Sequence, residues 1–217
     1  MAEAYRLHLM QGLERLLSVD GFSLVAGVDE AGRGCLAGPV VAAAVIPDPK
    51  RSVPGVNDSK KLTPKLREEL EPAIKRSSLA WAVSEVSADE IDRGNILLAT
   101  KTAMLQCLEK LRPRPQCALI DAVALELDYP CLPVIRGDAV SYAIASASIL
   151  AKVGRDRLMR QLDRRYPVYG FAANKGYGAL EHRQALATYG PSPIHRLTFK
   201  SVLPRSETAS LTASTAA

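Results

Sequence analysis

The segment that most constrains the fold of this chain is a short apolar run that leads into two adjacent acids and a Gly-Arg-Gly turn. Residues 22–28 have the composition of a buried strand, and we predict a strand there. Asp29 and Glu30 follow directly, and Gly32 and Gly34 let a ligand approach the backbone closely. Acids fixed at the end of a core strand beside such a turn suit a divalent cation held against a phosphate.

Two further acids lie in similar positions. Asp121 ends the apolar run 118–120, and Asp138 follows the segment 132–137. An acid at a strand end is more often a turn or capping residue, so the argument depends on this recurrence. Three strands can bring four carboxylates to one edge of a sheet, where they repel one another unless cations neutralise them. The sequence therefore predicts a pair of Mg²⁺ or Mn²⁺ ions.

The remaining pattern indicates an α/β fold, a mixed β-sheet flanked by helices. Further strands are predicted over 39–46, 81–86, 117–121 and 132–136. Helices are predicted over 64–76, from a capping box at 87–90 to residue 111, over 143–150 and over 178–188. We expect one domain over 21–203, with a core over about 21–150 and a mainly helical part over about 151–203. An N-terminal segment, 1–20, precedes this domain, and a disordered tail, 204–217, follows it.

Composition excludes several classes of protein. The chain has no run of eighteen apolar residues and no secretory-signal pattern at its N-terminus, so we expect a cytoplasmic protein without a membrane span. Its four cysteines lack a C-x-x-C spacing, which favours reduced thiols over a zinc site or disulfides. Because only 5% of the residues are aromatic, we do not expect a platform that stacks several bases of a single strand.

Positive charge is concentrated in one segment of the chain. The net charge is +5, and residues 152–165 contain six basic and two acidic residues, namely Lys152, Arg155, Arg157, Arg160, Arg164, Arg165, Asp156 and Asp163. Such a run is usually a solvated helix face. Here it follows the segment of a candidate metal-binding acid, which favours contacts with phosphates. We therefore predict a nucleic-acid duplex, held by its backbone, as the partner.

These motifs together resemble a known family, ribonuclease HII. The matching segments occur in the family's order between about residues 22 and 203, and they are VDEAGRGCLAGPV at 28–40, NDSKKL at 57–62, LID at 119–121, GD at 137–138, ASILAKV at 147–153, RD at 155–156, YGF at 169–171 and KGYG at 175–178. The resemblance covers nearly all of the chain apart from its two termini.

The resemblance implies a ribonuclease H-like core with a helical C-terminal region. It also implies an endonuclease that cuts RNA/DNA hybrids, and duplex DNA with a single embedded ribonucleotide, on the 5′ side of the ribonucleotide. The products then carry a 3′-hydroxyl and a 5′-phosphate. On this basis the catalytic residues, which also bind the two metal ions, are Asp29, Glu30, Asp121 and Asp138.

The resemblance further implies a set of residues that contact the substrate. Gly32-Arg33-Gly34 are expected to recognise the 2′-hydroxyl of the ribose, and Tyr177 to stack on the sugar at its 3′ side. Four basic residues are expected to contact phosphates: Lys60, Lys61, Lys152 and Arg155. His182 and His195 lie outside the segments that lead to the acids, and we interpret them as structural or phosphate-adjacent.

Four positions depart from the family's common pattern. Cys35 replaces a frequent proline, and Ala122 replaces a frequent glycine. Val140 stands where lysine is common, and Gly154 where threonine is common. None of these changes affects the four acids, so they concern the affinity for substrate rather than the reaction. We interpret Cys35 as an inert small side chain rather than an oxidisable thiol.

Other interpretations of the sequence are less favourable. Ribonuclease HIII requires an additional N-terminal domain, and only about twenty residues precede the first strand; ribonuclease HI lacks the DEAGRG motif. A non-catalytic module that binds nucleic-acid duplexes is the alternative from another class, and four intact acids argue against it. No phosphate-binding loop of a nucleotide-binding protein occurs. We expect a monomer, and the tail has no sliding-clamp motif.

Overall fold

The computed structural model describes residues 1–203. They form a mixed sheet of five strands in the order β3-β2-β1-β4-β5, with the bounds β1 Val25–Ala31, β2 Val40–Pro47, β3 Ser78–Val86, β4 Cys117–Asp121 and β5 Cys131–Val134. Strand β2 is antiparallel to β1 and β3, whereas β4 is parallel to β1 and β5 is parallel to β4. The predicted mixed sheet is confirmed, and all its strands were anticipated.

Helices pack on the two faces of the sheet and also form the C-terminal region. They are α1 Ala2–Met10, α2 Gly12–Val19, α3 Pro64–Ser77, α4 Ala88–Arg93, α5 Ile96–Lys110, α6 Gly137–Val140, α7 Tyr142–Arg165, α8 Phe171–Asn174 and α9 Leu180–Tyr189, with 3₁₀ turns at Ser59–Lys61 and Pro167–Tyr169. Over residues 1–203, no helix combines the length and apolar character that crossing a membrane requires.

Strand β2 illustrates why the sheet is buried on both faces. Side chains alternate along a strand, so Val40, Ala42 and Ile46 belong to the apolar cluster that includes α5. Ala43 and Val45 belong to a second cluster, which includes α3 and α7. A strand covered on both sides has a continuous apolar sequence, as β2 does.

The long helix α7 joins the sheet to the C-terminal region. Its first half is rich in Ala and Ser and lies directly on β1, where a Cβ atom on Gly27 would be 2.1 Å from the carbonyl carbon of Ala143. Its second half contributes Met159 to a separate apolar cluster with Tyr169 and Phe171. The boundary expected near residue 150 therefore falls inside one continuous helix that both parts share.

The first strand begins and ends three residues later than predicted. We expected it over 22–28, ending before the acids, but it spans Val25–Ala31 and contains them. Asp29 and Glu30 lie opposite Ala43 and Ala42 of β2 in a regular antiparallel ladder. This pairing overrides the low strand propensity of acidic residues, which the local sequence alone cannot reveal.

The helical stretch predicted from the capping box to residue 111 is two helices. The capping box at Ser87 is confirmed, but the chain breaks at Gly94. Asn95 then caps α5, where its side chain accepts a 2.9 Å hydrogen bond from the amide of Leu98. Six other elements differ from prediction in length or position: β2 spans Val40–Pro47, β3 starts at Ser78, β5 spans Cys131–Val134, α3 ends at Ser77, α7 continues to Arg165, and α9 spans Leu180–Tyr189.

The N-terminal segment contains two helices that were not predicted. The Glu14 carboxylate in α2 accepts hydrogen bonds from the Ser141 hydroxyl at 2.6 Å and the Ala143 amide at 2.8 Å. It therefore supports the first turn of α7, whose free amide groups favour a negative charge. The tail predicted to be disordered, 204–217, lies outside the described residues.

Candidate active site

Four acids lie at one end of the sheet. Asp29 and Glu30 project from β1 just beyond its parallel pairing with β4, and Asp121 is the last residue of β4. Asp138 follows β5, in the short helix α6. The carboxyl ends of parallel neighbouring strands point the same way, so the arrangement follows from the strand order.

Asp29 is the acid whose ionisation is most perturbed. Its side chain is buried, with 5% of the residue exposed. Burial raises the pKa of Asp29 well above its usual value, and the carboxylates of Glu30, Asp121 and Asp138 raise it further. Burial also raises the pKa values of Glu30 and Asp121. The other three carboxylates are thus close enough to Asp29 for their charges to act on it.

Glu30 retains an unused oxygen atom. One carboxylate oxygen is 3.4 Å from a guanidinium nitrogen of Arg33, while the other, Oε2, is buried without a hydrogen-bond partner. The backbone amide of Glu30 donates to Asp29 at 2.7 Å. An orphaned anionic oxygen in a cluster of carboxylates is an unusually strong acceptor for a cation.

Asp121 and Asp138 are held by protein donors. The amide of Gly137 donates to Asp121 at 2.7 Å, and Lys60 Nζ donates to Asp138 at 3.0 Å. Within residues 1–203, no group of three or more His, Cys, Asp or Glu side chains is arranged to hold a metal ion. The chemistry of the donors nevertheless fits hard divalent cations, because the four side chains offer only anionic oxygens.

The glycine turn after β1 packs on a buried arginine. Gly32 has φ of +95°, and a Cβ atom there would lie 2.0 Å from Nε of Arg155. The backbone carbonyl of Arg33 accepts a 2.8 Å hydrogen bond from Arg196, which is completely buried. The turn therefore needs a glycine for its conformation and for the space it leaves to Arg155.

A cavity of about 240 Å³ connects these groups. It is lined by three of the acids, the glycine turn, Lys60, Lys152, Tyr177, Ser59, Arg67 and Ser148. Asp138 lies in an adjoining hollow with Lys60, Lys61 and Arg136. The structure thus brings Lys60 and Lys61, and Lys152 from a distant segment, close to the acids.

Comparison with known proteins identifies the family. The model of the family Ribonuclease HII matches residues 26–202, a span that contains the four acids, the glycine turn and Tyr177. This chain belongs to the ribonuclease HII family. A ribonuclease HII of Ruminiclostridium cellulolyticum is 50% identical over 198 residues, which are 91% of this chain and 78% of that one.

Solved structures agree with this assignment. The ribonuclease H2 of Pyrococcus horikoshii OT3 has a TM-score of 0.72 and 29% identity, over 87% of this chain and 98% of that one. The RNase HII in the PCNA:RNase HII complex of Archaeoglobus fulgidus has a TM-score of 0.69 and 28% identity, over 83% and 95%. The expected ribonuclease H-like fold is confirmed.

The structure places one expected substrate contact away from the cavity. Arg155 is completely buried, and its guanidinium donates to the carbonyl oxygens of Pro39 at 3.0 Å, Ala37 at 3.1 Å and Lys175 at 2.8 Å. These donors face backbone rather than the cavity. Arg155 therefore supports the glycine turn and the segment before Tyr177, and we no longer expect it to contact phosphate.

Three other basic residues of the run form ion pairs. Arg157 and Arg160 form ion pairs with Glu71 and Glu68 of α3, and Lys152 pairs with Asp156 at 2.8 Å. Arg157 and Arg160 therefore join α7 to α3, whereas Arg164 and Arg165 are exposed, and contacts of this run with phosphates stay a prediction. Lys152 alone of its residues lines the cavity.

Two arginines near the site were not predicted from the sequence. Arg67 donates to the carbonyl oxygens of Ser59 at 2.8 Å and Leu62 at 2.5 Å, so it fixes the 3₁₀ turn that carries Lys60. Arg196 supports the glycine turn from a loop more than 160 residues further along the chain. No local pattern distinguishes such residues from solvated arginines, because their partners are backbone carbonyls.

The remaining candidates are buried behind the site. His182 and His195 are buried, which supports the interpretation of both as structural residues. Burial raises the pKa of the Cys35 thiol, which supports the interpretation of an inert side chain. A Cβ atom on Gly154 would contact Val83 of β3 at 3.7 Å, so this departure from the family pattern faces the sheet.

Proposed function

We propose that this chain is a metal-dependent endonuclease that hydrolyses the phosphodiester on the 5′ side of a ribonucleotide. Its substrates are RNA/DNA hybrids and duplex DNA that contains single ribonucleotides, and its products carry 3′-hydroxyl and 5′-phosphate ends. The observation that carries the proposal is the meeting of four acids with a glycine turn and lysines around one cavity and the hollow beside it. Membership of the ribonuclease HII family supports it.

Asp29, Glu30, Asp121 and Asp138 would hold two Mg²⁺ or Mn²⁺ ions, which when bound activate water and stabilise charge on the leaving oxygen. The burial of Asp29 keeps this part of the site in a low-dielectric environment, where charges interact strongly. Lys60 and Lys152 provide positive charge on two sides of the cavity, where they attract the phosphates of the duplex. Exposed Lys61 adds charge beside Asp138.

Recognition of the ribose requires groups other than the metal ligands. RNA and DNA share the same phosphates, so only the 2′-hydroxyl distinguishes the cleavage site. In this proposal Gly32, Arg33 and Gly34 present backbone groups to that hydroxyl. Arg155 and Arg196 maintain the conformation of the turn, so its polar groups are oriented before the substrate binds.

The proposal is tested with an end-labelled DNA duplex that contains one ribonucleotide. In the presence of Mg²⁺ or Mn²⁺ we expect one cut, on the 5′ side of the ribonucleotide, with a 5′-phosphate on the downstream fragment. An all-DNA duplex of the same sequence is the control. Equal cleavage of both duplexes, or no cleavage of the ribonucleotide duplex and of an RNA/DNA hybrid with either metal, contradicts the proposal.

Tyr177 provides a test of substrate stacking. It lines the cavity, 45% of it is exposed, and Lys152 Nζ lies 5.7 Å from its ring centroid. We expect Tyr177→Ala to reduce kcat/KM by about 10- to 100-fold, the range for one lost stacking contact. Tyr177→Phe keeps the ring and should remain within about threefold of the wild type. Equal losses in both variants would instead assign the role to the hydroxyl group.

A non-catalytic module that binds duplexes remains the alternative, and it predicts binding of the same substrates without cleavage. The buried, mutually repelling acids disfavour it, because they oppose phosphate binding unless cations are present. We retain the predictions of a monomer in the cytoplasm without a clamp-binding motif. The partner in the A. fulgidus complex is a property of that protein.

A further inference from the structure

Two buried histidines lie in contact behind Tyr177. His182 in α9 and His195 in the loop that follows have their Nε2 atoms 3.0 Å apart, and 0% and 2% of the two residues is exposed. Nδ1 of His182 is 2.8 Å from the carbonyl oxygen of Tyr177, and Nδ1 of His195 is 2.9 Å from the amide nitrogen of Ser192. Every ring nitrogen of the pair therefore has a partner.

These partners determine where the protons are. A carbonyl oxygen only accepts, so Nδ1 of His182 carries a hydrogen; an amide N–H only donates, so Nδ1 of His195 does not. The contact between the two Nε2 atoms needs one donor and one acceptor, so His195 donates to His182. Both rings are neutral, and the chain of hydrogen bonds runs in one direction from Ser192 to Tyr177.

The surroundings of the pair favour this neutral state. The rings of Tyr169 and Phe171 contact both imidazoles, with centroid distances between 4.7 and 6.3 Å. The Tyr169 hydroxyl donates to the carbonyl of Gly190 instead of to either histidine. Burial lowers the pKa values of both histidines, that of His195 to about 4. A proton added to either ring would place two donors against each other.

We propose that His182 and His195 are positioning residues that orient Tyr177 towards the cavity. Packing covers only part of the Tyr177 side chain, since nearly half of the residue is exposed. Its amide donates to the Asn174 carbonyl, and its carbonyl accepts from the Ala179 amide and from His182. The hydrogen-bond chain ties this turn to the loop that contains Ser192. The inference rests on the proposed function, because it assigns Tyr177 a contact with the substrate.

Two isosteric variants separate positioning from simple packing. In His182→Asn the amide nitrogen takes the place of Nδ1 and can still donate to the Tyr177 carbonyl. In His182→Gln the amide lies near Nε2, so the link to Tyr177 is lost. We expect His182→Gln to reduce kcat/KM on the single-ribonucleotide duplex by about tenfold or more, while His182→Asn stays within about threefold. Equal losses at equal melting temperatures would overturn the proposal.

A double-mutant cycle with Tyr177 sharpens this test. In a Tyr177→Ala background, His182→Gln should cause little further loss of activity, because no ring remains to be positioned. If His182→Gln reduces kcat/KM by the same factor with and without the Tyr177 ring, His182 acts elsewhere. This result would also overturn the proposal.

A measurement without activity addresses the hydrogen-bond chain itself. Imidazole ¹⁵N spectra of the wild type at pH 7 should show His182 protonated at Nδ1 and His195 at Nε2, with exposed His8 as the reference. Relaxation of ¹³C-labelled tyrosine rings should show Tyr177 more mobile in His182→Gln than in His182→Asn. The opposite tautomers, or equal mobility, would overturn the inference even if cleavage occurs as proposed. If the chain cleaves nothing, the proposed function fails while these spectra still decide the inference.

Discussion

Asp29→Asn is expected to abolish cleavage and at the same time to stabilise the metal-free protein. The residue is buried among three other carboxylates. Burial raises its pKa well above the usual value, and the charges of these carboxylates raise it further. Asparagine has nearly the same shape but cannot bind a cation as a carboxylate does. We expect cleavage to fall by about 10³-fold or more, since several kcal/mol of charge stabilisation are lost.

The gain in stability follows from the direction of the pKa shift. A carboxyl group with a raised pKa binds its proton more tightly in the folded state, so it destabilises the fold increasingly as the pH rises towards and through the folded pKa. The asparagine of the variant cannot ionise and avoids this loss. At neutral pH, without metal, the free energy of unfolding should rise by about 0.5–2 kcal/mol. The difference from the wild type should vanish at acidic pH, where Asp29 is protonated in both states.

Asp138→Asn is the matched control for this prediction. Asp138 is also buried, but Lys60 Nζ donates to it at 3.0 Å. This variant should lose activity like Asp29→Asn, yet it should not gain stability, because it removes the partner of an ion pair. Single-turnover cleavage and denaturant unfolding in a chelator measure the two effects. Undiminished cleavage in both variants would reject the proposed site, and a destabilised Asp29→Asn protein would reject the electrostatic argument.

Arg155→Met is expected to destabilise the protein by about 3–5 kcal/mol, because it leaves three backbone carbonyls without their donor. The side chain is completely buried, and the carbonyls belong to Pro39, Ala37 and Lys175. Methionine fills much of the same space but donates no hydrogen bond. Since Arg155 also lies against Gly32, the glycine turn should lose its support. Urea unfolding followed by circular dichroism measures the change.

Lys152→Met provides the comparison within the same helix. Lys152 is partly exposed, lines the cavity and pairs with Asp156 at 2.8 Å. Its loss leaves the buried Asp156 with Arg67 at 3.8 Å, so we expect a cost of about 1–3 kcal/mol, below that of Arg155→Met. Affinity for a nucleic-acid duplex should also fall, and the dependence of log K on log salt should decrease by about one unit. If Arg155→Met proves stable and weakens binding in this way, Arg155 contacts phosphate as the sequence first indicated.

The sequence was sufficient to predict the acids and the sheet. Asp121 and Asp138 each follow an apolar segment, and the parallel placement of β1, β4 and β5 brings those segments to one end. It was not sufficient to predict where β1 ends. Asp29 and Glu30 have low intrinsic strand propensity, and only their pairing with β2 keeps them in the ladder.

The predicted helix boundaries were wrong for a related reason. The apolar periodicity of α5 continues through the preceding α4, so a single helix was the natural prediction. The break depends on Gly94 and on the cap that Asn95 provides. Helices α1 and α2 were missed because α1 shows little amphipathic pattern and both are held in place by partners elsewhere, such as Ser141 for Glu14.

The linear order of residues by itself was enough to identify the family and to predict four acids and the kind of cation that they suit, because these depend on residue type and on motifs within short segments. Only the tertiary structure decided which of two neighbouring basic side chains faces the cavity. Lys152 and Arg155 are less than one turn apart on α7, yet one lines the cavity and the other is buried under the glycine turn. That difference arises from backbone carbonyls more than 100 residues away in the chain, whose position is fixed only when the helix packs on the sheet.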